Sequence, residues 1–427
     1  MTPDPSTGSD GDDSRDAEPA RPVAHTRRAV LASLATAGVL ASSGCTGVGS
    51  RSTPEADSNP ETVTPPRGDT RTVTPFTGEV TRSLVGEFGR INTVAAGDTT
   101  YYLGGPDAVR RLTPDGGLVW ATDLDVDDND HVATVTVGDS LVLCAVETYG
   151  DEATHARLVA LDRETGAKRW EFRTQTQHGE SRLDAVGQVS PELIFAGTDG
   201  GYESDGGDES TEDDRPERLY AIDAETGDGL WTMTDFAGKA TFGGIFAFRN
   251  EPYVLYNHLY KIDAEAGRSR HVVAPGSRDF SGGVRHGELL YLTGETVQAY
   301  NMVTGSVRWE TDRSAMPTGA MQVGTRHLFV ATEDGTVAGL RTDDGRAAWR
   351  VTASEPVLEL GYGAGLVWIL GESGTLQAVR ADDGSIRHDS TVSNAVDAAN
   401  GFRSLYTLQD TVLVDDGWAQ LFRVSSA

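Results

Sequence analysis

One phrase of thirteen residues recurs along this chain and limits the folds open to it. LVALDRETGAKRW begins at Leu158, and LYAIDAETGDGLW begins at Leu219. Weaker copies read LYKIDAEAGRSRH, VQAYNMVTGSVRW, VAGLRTDDGRAAW and LQAVRADDGSIRH. Aligning the copies on their turn glycine gives Gly116, Gly166, Gly227, Gly267, Gly305, Gly345 and Gly384. The separations are 50, 61, 40, 38, 40 and 39 residues, so the chain is a series of similar units, each packing on its neighbours.

A period near forty, with four short strand signals in each unit, is typical of a β-propeller with one sheet, or blade, per unit. Apolar runs of strand type recur at 289–292 and 328–330. No apolar stripe of helical period continues for three turns after residue 76. The sequence therefore predicts an all-β fold built from four-stranded antiparallel blades.

The number of blades follows from a second landmark. Gly335 and Gly374 each lie ten residues before a turn glycine, whereas ten residues beyond Gly417 is residue 427. The last unit therefore lacks its outer strand, and the strand-like segment 71–84 has no inner strands ahead of it. An N-terminal strand that completes the last blade leaves no exposed sheet edge. We predict eight blades, with seven as the alternative if the first or last unit is not a full sheet.

The parts of the phrase have structural roles. Asp162 can accept hydrogen bonds from turn amides, and Gly166 is predicted to supply the positive φ that a tight hairpin needs. A large ring follows the glycine by four residues and is expected to dock beside the next blade. These structural docking residues are Trp120, Trp170, Trp231, Trp309 and Trp349. His271 and His388 take the tryptophan position in two units, and we interpret them as packing residues rather than metal ligands.

The pattern Ala-x-Asp-x-x-Thr-Gly-x-x-x-Trp, at 160–170 and 221–231, resembles the tryptophan-docking repeat of the pyrroloquinoline-quinone (PQQ) propeller superfamily. This superfamily includes quinoprotein alcohol dehydrogenases, which are eight-bladed enzymes. It also includes non-catalytic eight-bladed relatives, such as the lipoprotein that helps assemble outer-membrane barrels in bacteria. The resemblance implies the fold more firmly than the activity.

The chain departs from the catalytic members of that superfamily. Those enzymes hold Ca²⁺ and an aspartate base on the propeller axis, beneath a disulfide of adjacent cysteines. Here the cysteines are Cys45 and Cys144, the blades are close to minimal, and no segment matches the metal or base motifs. We therefore predict a protein that is not an enzyme and assign it no catalytic residue, cofactor or metal. A PQQ-dependent dehydrogenase is the alternative.

Two acidic segments interrupt the period. Segment 123–130 alternates carboxylates like a calcium loop, but Asp128 stands at the sixth position and Thr134 at the twelfth, where such a loop has glycine and glutamate. Segment 203–214 holds seven acids in twelve residues without a pattern. Such dense like charge is typical of a solvated insertion between strands.

The overall charge excludes several partners. Asp and Glu number 65 against 36 Lys and Arg, which gives a net charge of −29. This field repels nucleic acid and anionic lipid. A high acid content with arginine in place of lysine resembles proteins of salt-loving archaea, so we interpret the acidity as adaptation to salt.

The N-terminal region predicts the location. Arg27 and Arg28 precede an apolar run at 29–40 that ends before Cys45, which resembles a twin-arginine signal with a lipoprotein processing site. The run is shorter than the ~20 residues that span a bilayer. We predict a signal at 1–45 with lipid attached to Cys45, a disordered Thr/Ser/Pro-rich stalk at 46–75 and the propeller at 76–427. A cleaved signal without lipid and an uncleaved anchor are the alternatives.

These features together predict a monomeric protein held by lipid at the extracytoplasmic face of the membrane. Its faces would present loops to a partner protein or a surface glycan, so we expect a binding or assembly scaffold. Two alternatives from other classes are the PQQ- and Ca²⁺-dependent dehydrogenase and a purely structural component of the cell envelope.

Overall fold

The fold is described from a computed structural model. The residues that it describes are 62–63, 80–88, 90–97, 99–126, 130–148, 155–175, 182–198, 217–234, 236, 242–271, 280–311, 317–363, 365–390, 404–408, 411–415 and 420–426. In these ranges all regular secondary structure is β-strand, which confirms the all-β prediction. Residues 203–214 lie outside them, and so do Cys45, Arg27 and Arg28.

The strands are numbered in chain order. Two strands precede the first complete sheet: β1 (Thr62–Val63) and β2 (Val80–Glu87). Sheet 1 has β3 (Thr93–Ala96), β4 (Tyr101–Gly104), β5 (Ala108–Leu112) and β6 (Leu118–Asp123); sheet 2 has β7 (Asp130–Val137), β8 (Leu141–Thr148), β9 (Arg157–Asp162) and β10 (Lys168–Arg173). Sheet 3 has β11 (Leu183–Ser190), β12 (Leu193–Thr198), β13 (Leu219–Asp223) and β14 (Gly229–Met233); sheet 4 has β15 (Gly244–Phe248), β16 (Glu251–Leu255), β17 (Leu259–Asp263) and β18 (Arg268–His271).

The remaining sheets continue in the same order. Sheet 5 has β19 (Phe280–His286), β20 (Leu289–Gly294), β21 (Val297–Asn301) and β22 (Ser306–Thr311); sheet 6 has β23 (Pro317–Val323), β24 (His327–Thr332), β25 (Thr336–Arg341) and β26 (Ala347–Thr352). Sheet 7 has β27 (Val357–Gly363), β28 (Leu366–Gly371), β29 (Leu376–Arg380) and β30 (Ile386–Ser390). Sheet 8 has β31 (Ser404–Leu408), β32 (Thr411–Asp415) and β33 (Gln420–Ser426), and β2 is its fourth strand.

Burial follows the position of each strand within its sheet. Every residue of β28 is buried, because the sheet is covered on both faces by its neighbours. Such strands read as continuous apolar runs rather than alternating ones. The outer strand β6 buries only Trp120 among its six residues. In this outer strand the repeated ring is therefore the part that enters the core.

The described residues form eight sheets, the number that the glycine landmarks predict. Successive sheets contact each other through their first strands, except that β11 of sheet 3 contacts β8 of sheet 2, and β31 of sheet 8 also contacts β3 of sheet 1. The outer strand of sheet 8 comes from the N-terminal side: β2 pairs antiparallel with β33, from Val80 opposite Ser426 to Glu87 opposite Gln420. The strand lies later in the chain than the segment 71–84 from which we predicted it. Two of the three aliphatic residues of that segment, Val80 and Leu84, fall inside it, and Val73 lies outside the described residues.

The predicted stalk contributes one strand. Thr62 and Val63 form β1, which pairs in parallel with the outer strand β22 and makes sheet 5 five-stranded. The other residues of 46–75 lie outside the described ranges.

The two faces of the propeller differ in the length of their connections. Apart from β1, the strands in each sheet are antiparallel, so connections from first to second and from third to fourth strands lie on one face. From β3 onward these connections have two to five residues, and we call this the short-turn face. The other connections lie on the opposite face and include every connection longer than five residues, up to the twenty of 199–218. We call it the long-connection face.

Candidate functional site

The repeated ring joins five of the eight sheets to the sheet that follows. Trp170 of β10 lies against the turn glycine Gly227 of sheet 3, where an added Cβ would be 2.7 Å from the Cδ2 atom of the ring. The indole Nε1–H donates a hydrogen bond to the Ala224 carbonyl at 2.9 Å. Both contacts are made in a buried environment, and they fix the ring in one orientation.

All five predicted docking residues have this geometry. An added Cβ on the turn glycine that each ring contacts would lie 2.5 to 3.0 Å from the ring. The Nε1–H in each case donates to the third residue before that glycine: Trp120 to Arg163 at 3.2 Å, Trp170 to Ala224 at 2.9 Å, Trp231 to Ala264 at 2.8 Å, Trp309 to Thr342 at 3.1 Å and Trp349 to Ala381 at 3.0 Å. These side chains therefore hold neighbouring sheets together.

The turn that receives the ring is held by the repeated aspartate. Asp162 Oδ1 accepts hydrogen bonds from the backbone N–H of Glu164 and Thr165 and from the Thr165 hydroxyl, at 2.8 to 3.1 Å. These bonds, the Thr165 N–H first among them, lower the pKa of Asp162 to about 2. Gly166 has φ of 76°, as predicted for a tight hairpin. The phrase is thus structural at each of its chemically distinctive positions.

The alignment of His271 with the tryptophans is wrong. Trp170 faces Ala160 because a one-residue irregularity precedes it in the β9–β10 pairing. The β17–β18 pairing has no such bulge, so His271 faces Tyr260, one residue beyond the docking position. His388 faces Ala378 and keeps the tryptophan register. The imidazoles of both histidines lie outside the described part of the structure, so their role as packing residues stays a prediction.

The structure uses part of the calcium-like segment in an ion pair. Asp130 Oδ2 lies 3.0 Å from Arg157 Nη1, with side chains 4% and 6% exposed. Arg157 also contacts Glu171 at 3.1 Å. Burial raises the pKa of Glu171, but hydrogen bonds from Lys168 and Arg157 lower it to about 2 overall. In the described ranges no three His, Cys, Asp or Glu side chains come together as a metal site.

A buried acidic cluster lies between the last two sheets. Glu359 of β27 accepts a hydrogen bond from the backbone N–H of Leu405 at 2.6 Å, and Tyr406 donates its hydroxyl to Asp415 at 3.0 Å. Burial raises the pKa of Glu359 to about 8, with the charge of Asp415 adding to the shift. No signal in the sequence indicated this cluster, because its members belong to different units of the repeat.

The long-connection face is the candidate interaction surface. Loops on a rigid scaffold carry most binding sites, and the variable connections of this propeller share one face. Six of its described exposed residues are acidic: Asp107, Asp123, Asp125, Glu333, Asp334 and Glu372; Arg90, Gln175, Thr234, Ser354, Pro356 and Ser373 are exposed on it as well. The sequence located the acidic insertions but not the common face, which follows from strand direction.

The predicted lipid site and signal motif remain predictions, since Cys45, Arg27 and Arg28 lie outside the described residues. The described residues include no helix long and apolar enough to cross a membrane. Cys144 is fully buried, and burial raises the pKa of its thiol. A buried neutral thiol of this kind is chemically inert.

The repeat and the ring of sheets agree with a comparison against protein families. The model of the outer membrane protein assembly factor BamB matches residues 67–203 and 215–426. The chain belongs to this PQQ-like repeat family. The gap in the match, 204–214, falls within the acidic insertion that the sequence analysis placed between strands.

Solved structures support the same fold. BamB from Moraxella catarrhalis is similar with a TM-score of 0.59 at 14% identity, covering 81% of this chain and 98% of that one. The computationally designed Ika8 protein is similar with a TM-score of 0.57 at 14% identity, covering 79% of this chain and 98% of that one. A search of curated proteins found no match. At such identity the likeness shows the fold alone.

Proposed function

We propose that this BamB-family propeller is a lipid-anchored scaffold that binds a partner protein at the extracytoplasmic face of the membrane. The family match over nearly all of the propeller carries the proposal, because the family is described as an assembly factor. The lipid anchor rests on Cys45 and the twin arginines of the sequence.

The distribution of side chains supports a binding role. The five tryptophans, their glycines and the repeated aspartates all serve contacts within and between sheets. What varies from sheet to sheet is the length of connections on the long-connection face. A rigid ring with one variable face suits recognition of a partner. We therefore place the partner on that face.

We propose that the protein does not carry out quinone-dependent oxidation. The dehydrogenases of the superfamily need a Ca²⁺ site, and no group of three metal-binding side chains exists in the ranges described. We propose that the protein is not an enzyme. Added PQQ and Ca²⁺ should give no dye-linked oxidation of alcohols or sugars, and sustained turnover would contradict the proposal.

The binding face is tested by charge reversal. Glu333→Lys with Glu372→Lys changes exposed residues of the long-connection face. The matched control, Glu225→Lys with Glu265→Lys, makes the same charge change on exposed residues of the short-turn face. Chemical cross-linking in intact membranes, followed by mass spectrometry, should recover the same partner with the parent and the control and lose it with the first pair. Equal recovery of the partner with both pairs of substitutions would show that it does not bind the long-connection face.

The anchor is tested separately. Cys45→Ser should release the propeller into the medium or leave an unprocessed precursor. Arg27→Lys with Arg28→Lys should hold the protein in the cytoplasm. Secretion that is unchanged by the arginine substitutions would exclude the twin-arginine route, whatever the outcome at Cys45.

A further inference from the structure

The outer edge of sheet 5 carries a strand from the predicted stalk. Thr62 pairs with Glu310 and Val63 with Thr311, in parallel. The stalk sequence there, TVTP, has three β-branched residues followed by a proline, which favours a short strand that then ends. The same four residues recur at 72–75. An outer strand presents unpaired backbone groups, and a parallel strand of this kind satisfies them.

The direction of β1 relates the stalk to the two faces. As the fourth strand of its sheet, β22 runs from the short-turn face toward the long-connection face. Because β1 is parallel to β22, the chain arrives at Thr62 from the short-turn side. Seventeen residue steps separate Cys45 from Thr62, a reach of at most about 60 Å when fully extended. The lipid end of the stalk therefore joins β1 from the short-turn side, within about 60 Å of Thr62.

Exposed apolar side chains point to the same face. In the described ranges the large apolar residues that are exposed are Leu118 at 60%, Leu230 at 54%, Val119 at 46% and Val303 at 44%. Leu118, Val119 and Leu230 are first or second residues of outer strands, next to third-to-fourth-strand turns, and Val303 lies within such a turn. All four thus lie on the short-turn face. A single acyl chain binds a membrane only marginally, so a second apolar contact strengthens attachment.

We propose that pairing of the stalk with β22 holds the short-turn face against the membrane and leaves the long-connection face directed away from it. The inference rests on the lipid anchor of the proposed function and names the surface that meets the lipid. The partner surface and the membrane surface are then opposite faces of one ring.

The pairing is tested in the full chain by a disulfide. Thr62→Cys with Glu310→Cys places two thiols on paired residues of strands about 4.8 Å apart, within disulfide range. The control is Thr72→Cys with Glu310→Cys, which uses the second TVTP copy. Both are made with Cys45→Ser, so that lipidation has no influence. Mild oxidation should cross-link the first variant at least about tenfold faster, as expected for preset geometry. Equal rates would overturn the inference.

The orientation is tested on the lipidated protein in zwitterionic phospholipid vesicles that contain a nitroxide-labelled lipid. A fluorophore on Leu230→Cys reports the short-turn face, and one on Glu333→Cys reports the opposite face. Buried Cys144 does not compete for the label. Leu230→Cys should be quenched at least about threefold more strongly, because quenching needs contact with the lipid surface.

Val63→Pro should abolish the difference in quenching between the two labelled faces, because it removes a backbone donor of β1. Val73→Pro, in the second TVTP copy, should leave the difference unchanged. Equal or reversed quenching in the parent would overturn the inference. If the disulfide between positions 62 and 310 forms but the protein does not bind vesicles, the lipid anchor is refuted. The proposed orientation, which depends on that anchor, is then refuted as well.

Discussion

The Trp170 ring lies on Gly227 of the next sheet, so closely that a Cβ there would be 2.7 Å from the indole. Gly227 thus meets two requirements: it leaves room for the indole ring, and with φ of 80° it adopts the positive φ of the turn. The glycine of the repeat is needed as the surface that receives the preceding ring as well as for the turn.

Removing a docking ring should destabilise the propeller. Trp170→Ala and Trp309→Ala should each lower the free energy of unfolding by about 3–5 kcal/mol, because each opens a cavity between sheets. Trp170→Phe keeps most of the volume and loses the bond to the Ala224 carbonyl, so a smaller loss is expected. Denaturant unfolding of the unlipidated Cys45→Ser protein measures this. A negligible loss for one position, combined with lost partner binding, would indicate a binding site there.

Gly227→Ala tests the second role of the glycine. A methyl group must displace the Trp170 ring and must also adopt positive φ, so we expect a loss of about 3 kcal/mol or more. The matched control is Gly287→Ala, at φ of 60° with no atom within 4 Å of the added Cβ. It carries the conformational cost alone, about 1–2 kcal/mol. Similar losses at both sites would show that contact with the ring is unimportant.

Closure through β2 is tested by deletion. Without 80–87, the edge of β33 has no partner, and we expect aggregation and loss of the cooperative unfolding transition. The control is deletion of 46–61, which also shortens the chain on the N-terminal side of the propeller but removes no described strand. Light scattering and circular dichroism report both outcomes. A shortened protein that stays monomeric and as stable as the control would mean that the ring does not need this strand.

Glu359 should make stability depend on pH. Its pKa in the folded protein, about 8, lies above the ordinary 4.5, so the folded state keeps a proton that the unfolded state releases. The free energy of unfolding should therefore fall as pH rises from about 4.5 to about 8, with no further effect above that range. Glu359→Gln keeps an acceptor for the Leu405 N–H and cannot ionise. The free energy of unfolding of this variant, measured in urea at a series of pH values, should rise relative to that of the parent across this range. Parallel pH profiles of the two proteins would contradict the raised pKa of Glu359.

Salt should stabilise the protein if the acidity is adaptation. The net charge of −29 produces self-repulsion, which molar salt screens to a distance of about 3 Å. We expect the melting temperature to rise steeply between ~0.2 and ~2 M salt. A melting temperature that is constant over that range would remove this interpretation.

The sequence was sufficient for the fold class and the positions of the five rings. A repeat records the same local requirement several times, so Asp162, Gly166 and Trp170 stand out without knowledge of their partners. The error at His271 has the same origin. Counting residues from the turn cannot reveal whether a hairpin contains a bulge, and the β17–β18 pairing has none.

Tertiary structure alone decided the rest. Glu359, Tyr406 and Asp415 come together because sheets 7 and 8 are adjacent. The Arg157 ion pairs form because β10 lies next to β9 in sheet 2 and β7 lies one strand further away on its other side, across β8. Such contacts occur once each, so no periodicity marks them. The sequence by itself determined a ring of similar sheets, since repeated local chemistry fixes how neighbours join. Which residues meet across those joints, and which face gathers the long connections, depends on strand direction and register, which only the assembled sheets define.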